Sequence, residues 1–532
     1  MKKSSILLIA LLKLNLMNAQ PGTLDSTFGT KGTVIPPAGV WSDYWEATTI
    51  QIDGKVLVAG RTVGKHYEFW DSTYIAVYRY NTDGGLDNAF GANGKVTTSF
   101  GNDNSVAVAI ATQSDGKIVV AGTLFPYAST WGVKFLTVRY NTNGTLDSTF
   151  GSNGVVNTAV GNYIDRVCAM AIQTDGKIVI AGNTYNGNHD DVALVRYNTN
   201  GTLDNTFGTN GIVTTPFDIG GEVGAIEIQI DGKMVLAGSS SNNSGFFHIM
   251  VMRYNANGAL DSTFGTTGKV TTSIAGEFGT DKALGIAIQN DEKIVVGGYT
   301  KEDSYHFEDF VLLRYNVTGA IDSSFGANGI VITSIGNDDD RANEIVLQTD
   351  GKIIAVGYTI TTGPKTDIAI ARYSSNGTLD NTFGTNGIVS GLITVADSSY
   401  HVKASSSAIQ NDGKLVVAGG TAGGAPIGAF SVLRYNLDGT PTGVFENSII
   451  YSLKIFPNPA YDNLDIYFTM NKFESVIIRV TDIQGRIIYT ETKNQQLGSY
   501  KTRIDLAGQS NGIYFVYILT DTETVIRKVV LN

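Results

Sequence analysis

Residues 113–122 read Gln-Ser-Asp-Gly-Lys-Ile-Val-Val-Ala-Gly, and residues 139–151 read Arg-Tyr-Asn-Thr-Asn-Gly-Thr-Leu-Asp-Ser-Thr-Phe-Gly. Three pieces of this stretch recur in fixed order along the chain. Gln-x-Asp-Gly-Lys starts at Gln51, Gln113, Gln173, Gln229, Gln289, Gln348 and Gln410, and Arg-Tyr starts at Arg79, Arg139, Arg196, Arg253, Arg314, Arg372 and Arg434. Leu-Asp-x-x-Phe-Gly or a close variant carries its aspartate at Asp25, Asp87, Asp147, Asp204, Asp261, Asp322 and Asp380, successive copies lying 57 to 62 residues apart. One copy departs, with Glu292 where the other glutamine motifs have glycine.

Each unit reads as four short strands. In the second copy these are about Gly94–Thr98, Val106–Thr112, Lys117–Gly122 and Lys134–Tyr140. Asp-Gly between two apolar runs predicts a tight type I′ hairpin, in which both central residues need positive φ. Glu292 is strained in that role, so a different turn is expected in its copy. The run Ile118-Val119-Val120-Ala121 is continuously apolar, as in a strand covered on both faces. A repeat of this length is too long for a β-helix coil, whereas four strands form one propeller blade. The fold class is therefore all-β: a seven-bladed β-propeller of four-stranded blades, followed by a small immunoglobulin-like β-sandwich.

Composition agrees. A chain of 532 residues exceeds a single core, which stops growing near roughly 300 residues. The 62 glycines against 10 prolines suit many tight turns. A net charge of −11 argues against nucleic acid as partner, because phosphate contacts need a basic face. The single cysteine, Cys168, excludes an internal disulfide and a Cys-x-x-Cys zinc site, and its apolar setting reads as a buried inert thiol.

An arginine and an aspartate eight residues apart recur as Arg79 with Asp87, Arg139 with Asp147 and Arg196 with Asp204, and on through Arg372 with Asp380. Arg434 has Thr442 at that offset, while Asp25 has no arginine before it. The chain thus predicts that Asp25 docks beside the last blade as the partner of Arg434, closing the ring. An open solenoid with a degenerate last copy is the alternative.

The ends differ from the middle. Residues 1–19 read as a signal peptide, with Lys2 and Lys3 before the short apolar run Ile6–Leu12 and Ala19 at a cleavage point. No later window is long and apolar enough for a transmembrane helix. Residues 20–449 hold the propeller. Residues 450–532 alternate apolar segments with turns, and they carry Pro457, Asn458 and Pro459 after Phe456, then Gly485 in Asp-Ile-Gln-Gly-Arg, then Gly512 and Tyr514 in Asn-Gly-Ile-Tyr, then Lys528 near the end.

In that order these motifs resemble the type A sorting domain of the type IX secretion system of Bacteroidota, and the seven-copy region resembles the delta-60 repeat family of secreted β-propellers. The resemblance implies export to the outer cell surface or beyond, with the secretion translocon and its processing protease as partners of residues 450–532.

In an up-and-down blade the glutamine hairpins and the Leu-Asp-x-x-Phe-Gly connections share one face, here the motif face. The remaining loops form a variable face. All four tryptophans, Trp41, Trp45, Trp70 and Trp131, fall in variable-face loops of the first two blades, together with His66. They are read as a ligand-binding patch for an extracellular glycan or surface protein. The equal alternative is that they pack long loops onto blade edges.

No Gly-x-Ser-x-Gly elbow, His-x-x-x-His pair or phosphate loop is present, so no catalytic residue is assigned. His189-Asp190-Asp191, and His306 with Glu308 and Asp309, place imidazole near carboxylates. Asp338-Asp339-Asp340 is an acidic run with at most weak calcium affinity, and no other cofactor is read. The leading reading is a secreted, non-catalytic binding or adhesion protein. An extracellular polysaccharide lyase or hydrolase working at the ring mouth comes second, and a structural display scaffold third.

Overall fold

The computed structural model describes residues 20–531 except 36–43, 65–71, 128, 130, 218, 304, 363–364, 392, 396–397, 401, 422–429, 439–449, 457–459 and 521–523. Seven four-stranded antiparallel sheets follow one another along the chain. In blade 2 the strands run, from the inside out, Asn104–Thr112, Ile118–Phe125, Lys134–Tyr140 and Val155–Thr158. The outermost strand therefore comes after the next Leu-Asp-x-x-Phe-Gly motif. The first strand read from the second copy, near Gly94–Thr98, belongs instead to blade 1, where Lys95 to Thr98 pair with Tyr78 to Ile75. Each sequence repeat straddles two blades.

That offset closes the ring. Thr33 and Val34 pair with Leu433 and Val432, so the N-terminal segment supplies the outermost strand of blade 7. Asp25 sits 2.6 Å from Arg434, and its backbone N–H donates to the Arg434 carbonyl at 2.7 Å. The other blades repeat this geometry, for instance Arg139 Nε to Asp147 Oδ2 at 2.8 Å and Asp147 N–H to the Arg139 carbonyl at 2.9 Å.

The Arg-Tyr pair joins neighbouring blades because successive strand residues point to opposite faces of a sheet. Arg139 of blade 2 donates to the Thr199 carbonyl of blade 3 and lies over its own blade's Phe150 ring at 4.5 Å. Tyr140 turns the other way, its hydroxyl 2.6 Å from Thr98 Oγ1 of blade 1. Arg434 carries the pattern across the closure, donating to the Thr82 carbonyl of blade 1 at 2.5 Å. Tyr435 alone among these tyrosines has a buried hydroxyl without a partner, since the matching position of blade 6 is Gly391.

The turn chemistry differs from the sequence reading in one respect. In the glutamine hairpins only the glycine has positive φ, as at Gly116 (81°), and Gly116 N–H donates to the Gln113 carbonyl at 2.9 Å. This is a type I turn followed by a left-handed residue, with Asp115 Oδ1 accepting from Lys117 N–H. Glu292 takes the same turn at φ 63° rather than a different one. The side-chain amide of Gln229 donates to Glu292 Oε2 at 3.0 Å, whereas Gln113 donates to the Gly176 carbonyl at 3.1 Å. The type I′ turn lies elsewhere: Asn153 (53°) and Gly154 (93°) both have positive φ, and Ser152 and Val155 exchange backbone hydrogen bonds across them.

In the C-terminal domain, Asn463–Asp482 forms a long hairpin with Ile487–Asp505. The ladder slips between Met470 and Val476, and this bend merges two strands that the sequence separates. Ile450–Phe456 pairs with the first half of the long strand and Gly512–Leu519 with the second, followed by Thr524–Leu531. Alternate residues from both halves, among them Leu464, Ile466, Ile478 and Val480, share one core with Val516 and Ile518, as in a sandwich.

Candidate functional site

Each innermost strand runs from the variable face to a glutamine turn on the motif face. Each also carries a bulge at the same position, for example between Ala107 and Ala109 and between Ala342 and Glu344. On the motif face the copies repeat one network, in which Lys117 bridges Asp115 (3.6 Å) and Asp147 (3.1 Å) and Arg139 meets the same Asp147. Seven copies of one buried ion cluster make a scaffold.

The repeat breaks down at the variable-face end of the inner strands. Seven residues before each glutamine stand Tyr44, Val106, Arg166, Glu222, Lys282, Arg341 and Lys403, in blade order. Lys282 Nζ is 2.6 Å from Glu222 Oε2 of the preceding blade and 4.2 Å from the Phe247 ring centroid. The Arg341 guanidinium lies over Tyr299 at 4.6 Å, and its Nε and Nη2 both donate to Glu308, the Nη2 to Oε1 distance being 2.7 Å. Lys403 Nζ lies over Tyr358 at 4.8 Å. Arg166 is exposed on blade 3.

Titration follows from these contacts. Burial raises the Tyr299 hydroxyl, and Arg341 only partly offsets it, so this tyrosine stays protonated. Burial also raises Glu46 against the pull of Lys403 and Arg61. Cys168 is the bulge residue of blade 3, and burial followed by the nearby Glu222 and Asp190 pushes its thiol up to about 12. It is no thiolate nucleophile.

Exposed aromatic side chains lie in the connections of the same face. Trp131 (50% exposed) meets Tyr163 edge-on at 5.3 Å, and Tyr163 meets Tyr185 at 6.0 Å, which links blades 2 and 3. Tyr127, Phe278, Tyr305 and Phe307 are exposed in other variable-face connections. Of the sequence-predicted patch, Trp41, His66 and Trp70 lie outside the described residues. Trp45 is placed in the inner strand of blade 1 opposite Gly60, and Trp131 is the one member whose surroundings are described.

Of the two histidine pairings, that of His306 differs from the sequence reading and that of His189 agrees with it. His306 Nδ1 meets Asp303 at 2.8 Å rather than Glu308 or Asp309, because Glu308 is held by Arg341. His189 meets Asp191 at 3.2 Å. Asp340 accepts backbone N–H groups of Ile335 and Gly336, and Asp339 accepts from Glu308 N–H, so these two carboxylates are spent on backbone N–H groups of their own loop and of the Glu308 connection. Among the described residues no group of three or more metal-ligating side chains converges.

The inner-mouth cluster was missed in the sequence because its members lie one per repeat. Superposing the repeats on their glutamines and reading seven positions back exposes it. In the sorting domain, Tyr514 donates to the Ser510 carbonyl at 2.6 Å, and Gly485 (φ 80°) turns the hairpin beside Asp482, which accepts from Arg486 Nε at 2.6 Å. Gly512 opens the strand containing Tyr514, and Lys528 lies in the last strand. Pro457, Asn458 and Pro459 fall outside the described residues.

The model of the beta-propeller domain of unknown function DUF5122 matches residues 51–90, 113–150, 173–207, 229–264, 289–325, 348–383 and 410–441. The secretion system C-terminal sorting domain matches residues 454–532. No curated protein matches the chain.

Among solved structures, the polysaccharide lyase Uly1 is 11% identical with a TM-score of 0.44, covering 80% of this chain and 98% of its own. Drosophila Semaphorin 2a is 8% identical at 0.44, covering 96% and 98%. The Penicillium chrysogenum alpha-L-arabinanase is 9% identical at 0.39, covering 68% and 98%. Such distant likenesses say nothing of activity.

The sorting domain implies interaction with the secretion system, and no helix of the described residues is long and apolar enough to cross a membrane. The chain carries a seven-repeat DUF5122 beta-propeller region followed by a type IX secretion sorting domain, and it is secreted or held at the outer cell surface.

Proposed function

We propose that the variable face of the propeller is a non-catalytic binding surface for an extracellular glycan, delivered by the C-terminal sorting domain after a leader, residues 1–19, is removed. Processing by the secretion protease would then release the propeller or attach it to the surface. One observation carries the reading. Among the described propeller residues, all six strongly exposed aromatic side chains (Tyr127, Trp131, Tyr163, Phe278, Tyr305 and Phe307) lie in variable-face connections. Of the large hydrophobic side chains described on the motif face, the exposed ones are aliphatic, such as Leu86 and Leu146.

Sugars offer apolar ring faces and hydroxyl edges. Separate rigid aromatics on the same face as a polar mouth suit them better than the contiguous apolar core of a protein interface. Titrating the mature chain with neutral and acidic polysaccharides, while following tryptophan fluorescence, tests the proposal. Saturable binding weakened by Trp131→Ala or Tyr163→Ala is expected. A folded protein that binds none of them overturns it.

A lyase or hydrolase at the mouth is the second reading, favoured by the contact of Tyr299, Arg341 and Glu308. Against it stands the raised, protonated state of Tyr299, which makes a poor base. Release of unsaturated or reducing sugar ends by the same mixtures would overturn the non-catalytic reading.

A further inference from the structure

At one ring position, three consecutive blades set a cation over an aromatic ring of the blade before: Lys282 over Phe247, Arg341 over Tyr299 and Lys403 over Tyr358. Nothing in the repeat's own architecture needs this, since blades 1 and 2 have Tyr44 and Val106 there. In the pairs of blades 6 and 7 the aromatic supports are buried and the cations are not. Tyr299 and Tyr358 are 6% and 5% exposed, while the Arg341 side chain is 34% exposed and Lys403 is exposed.

Arg341 is further fixed by Glu308, itself 6% exposed, through a two-pronged contact that uses Nε and Nη2. A guanidinium held flat by a buried carboxylate and a buried ring has little rotamer freedom left to lose on binding. Lys282 is engaged by the exposed Glu222, which bounds the arc at blade 4. Lys403 lies over Tyr358 and exerts its charge on Glu46 of blade 1, with no direct carboxylate contact recorded for it among the described residues. The arc therefore presents the Lys403 ammonium at blade 7 and, beside it at blade 6, the Arg341 guanidinium, whose Nε and Nη2 are taken by Glu308 and whose Nη1 makes no contact with that carboxylate, on a chain whose net charge is −11.

Resting on the glycan-binding reading above, we infer that the Arg341 and Lys403 arc is an anion-recognising subsite that takes the carboxylate or sulfate groups of an acidic polysaccharide. Such a group accepts charge-assisted hydrogen bonds from both side chains, and the aromatic supports keep the two donors upright when no ligand is present.

Calorimetric titration of the mature chain tests this with polygalacturonate as the carboxylate probe and dextran sulfate as the sulfate probe, against neutral dextran and laminarin. At least one polyanion is expected to bind, with Lys403→Gln and Arg341→Gln each lowering its affinity about tenfold, a loss of about 1.4 kcal/mol. Added salt should weaken the wild type more than Lys403→Gln. If Arg341→Gln does not fold because Glu308 is left unpaired, Lys403→Gln and its salt dependence decide.

Polyanion binding unchanged in Lys403→Gln overturns the subsite. So does binding of neutral glycans alone, which leaves the wider glycan reading intact. Binding of none of the four probes by a folded protein overturns the subsite and counts equally against that wider reading.

Discussion

Seven aspartates titrate together in this ring. Burial disfavours the charged Asp25 carboxylate, yet hydrogen bonds from Lys414 and Thr27 and the charge of Arg434 hold its pKa at about 2 against an ordinary 3.8. Its six counterparts, Asp87 to Asp380, are lowered in the same way. A depressed folded-state pKa means the unfolded chain takes up the proton first, so this stabilisation is complete above about pH 4 and disappears as pH falls toward 2. The thermal midpoint is expected to drop steeply over that window, and differential scanning calorimetry at half-unit steps would register it. A flat profile there would contradict the network's role. The unpartnered hydroxyl of Tyr435 allows a paired comparison. Tyr140→Phe breaks a bond to Thr98 and should destabilise by about 1 kcal/mol in chemical denaturation, whereas Tyr435→Phe removes an unsatisfied buried group and should be neutral or stabilising.

Turns and strands were legible in the sequence to different depths. The Asp-Gly-Lys and Arg-Tyr motifs marked the hairpins and blades because glycine and alternating apolar residues leave few backbone choices. The type I′ turn was placed at Asp-Gly, yet it lies at Asn-Gly, as at Asn153-Gly154; at Asp-Gly only the glycine is left-handed, and the Asp115 side chain instead accepts from Lys117 N–H. The inner-strand bulges left no mark, since the bulge residue varies from Glu46 to Cys168 and Gly224. The mouth cluster stayed hidden for a related reason: each member is one odd residue in an apolar strand, and only the ring gathers them. Glu292 tests the turn reading. A left-handed non-glycine residue costs about 1 kcal/mol, and the Gln229 bond offsets part of that. Glu292→Gly should leave stability within about 1 kcal/mol of wild type, because the Gln229 amide can then reach the backbone carbonyl as its equivalents do. Glu292→Ala keeps the strain and loses the bond, so it should be the less stable variant by about 1 kcal/mol. The reverse order of denaturation midpoints would refute this account.

Closure of the ring depends on the shortest strand in the propeller. Among the described residues, the N-terminal segment gives blade 7 a two-residue ladder, Thr33 and Val34, and a single bridge from Leu24 to Tyr435, and Asp25 adds contacts to both Lys414 and Arg434. Removing one partner of such a buried pair typically costs about 3 kcal/mol. Arg434→Met should therefore lower stability by about that amount, and deletion of residues 20–34 should leave blade 7 three-stranded. Limited proteolysis with mass mapping is expected to cut the deleted protein first within blade 7, and cuts spread evenly over all blades would contradict closure by this segment. The straddling of each repeat across two blades has a consequence for how such chains change over generations. A duplicated or lost copy begins and ends inside a sheet, between the third and fourth strands. Its broken edges therefore match whatever neighbours it lands between. Copy number can drift by whole units while the terminal strand and its aspartate still find the same vacancy, so ring size is inherited separately from the means of sealing it.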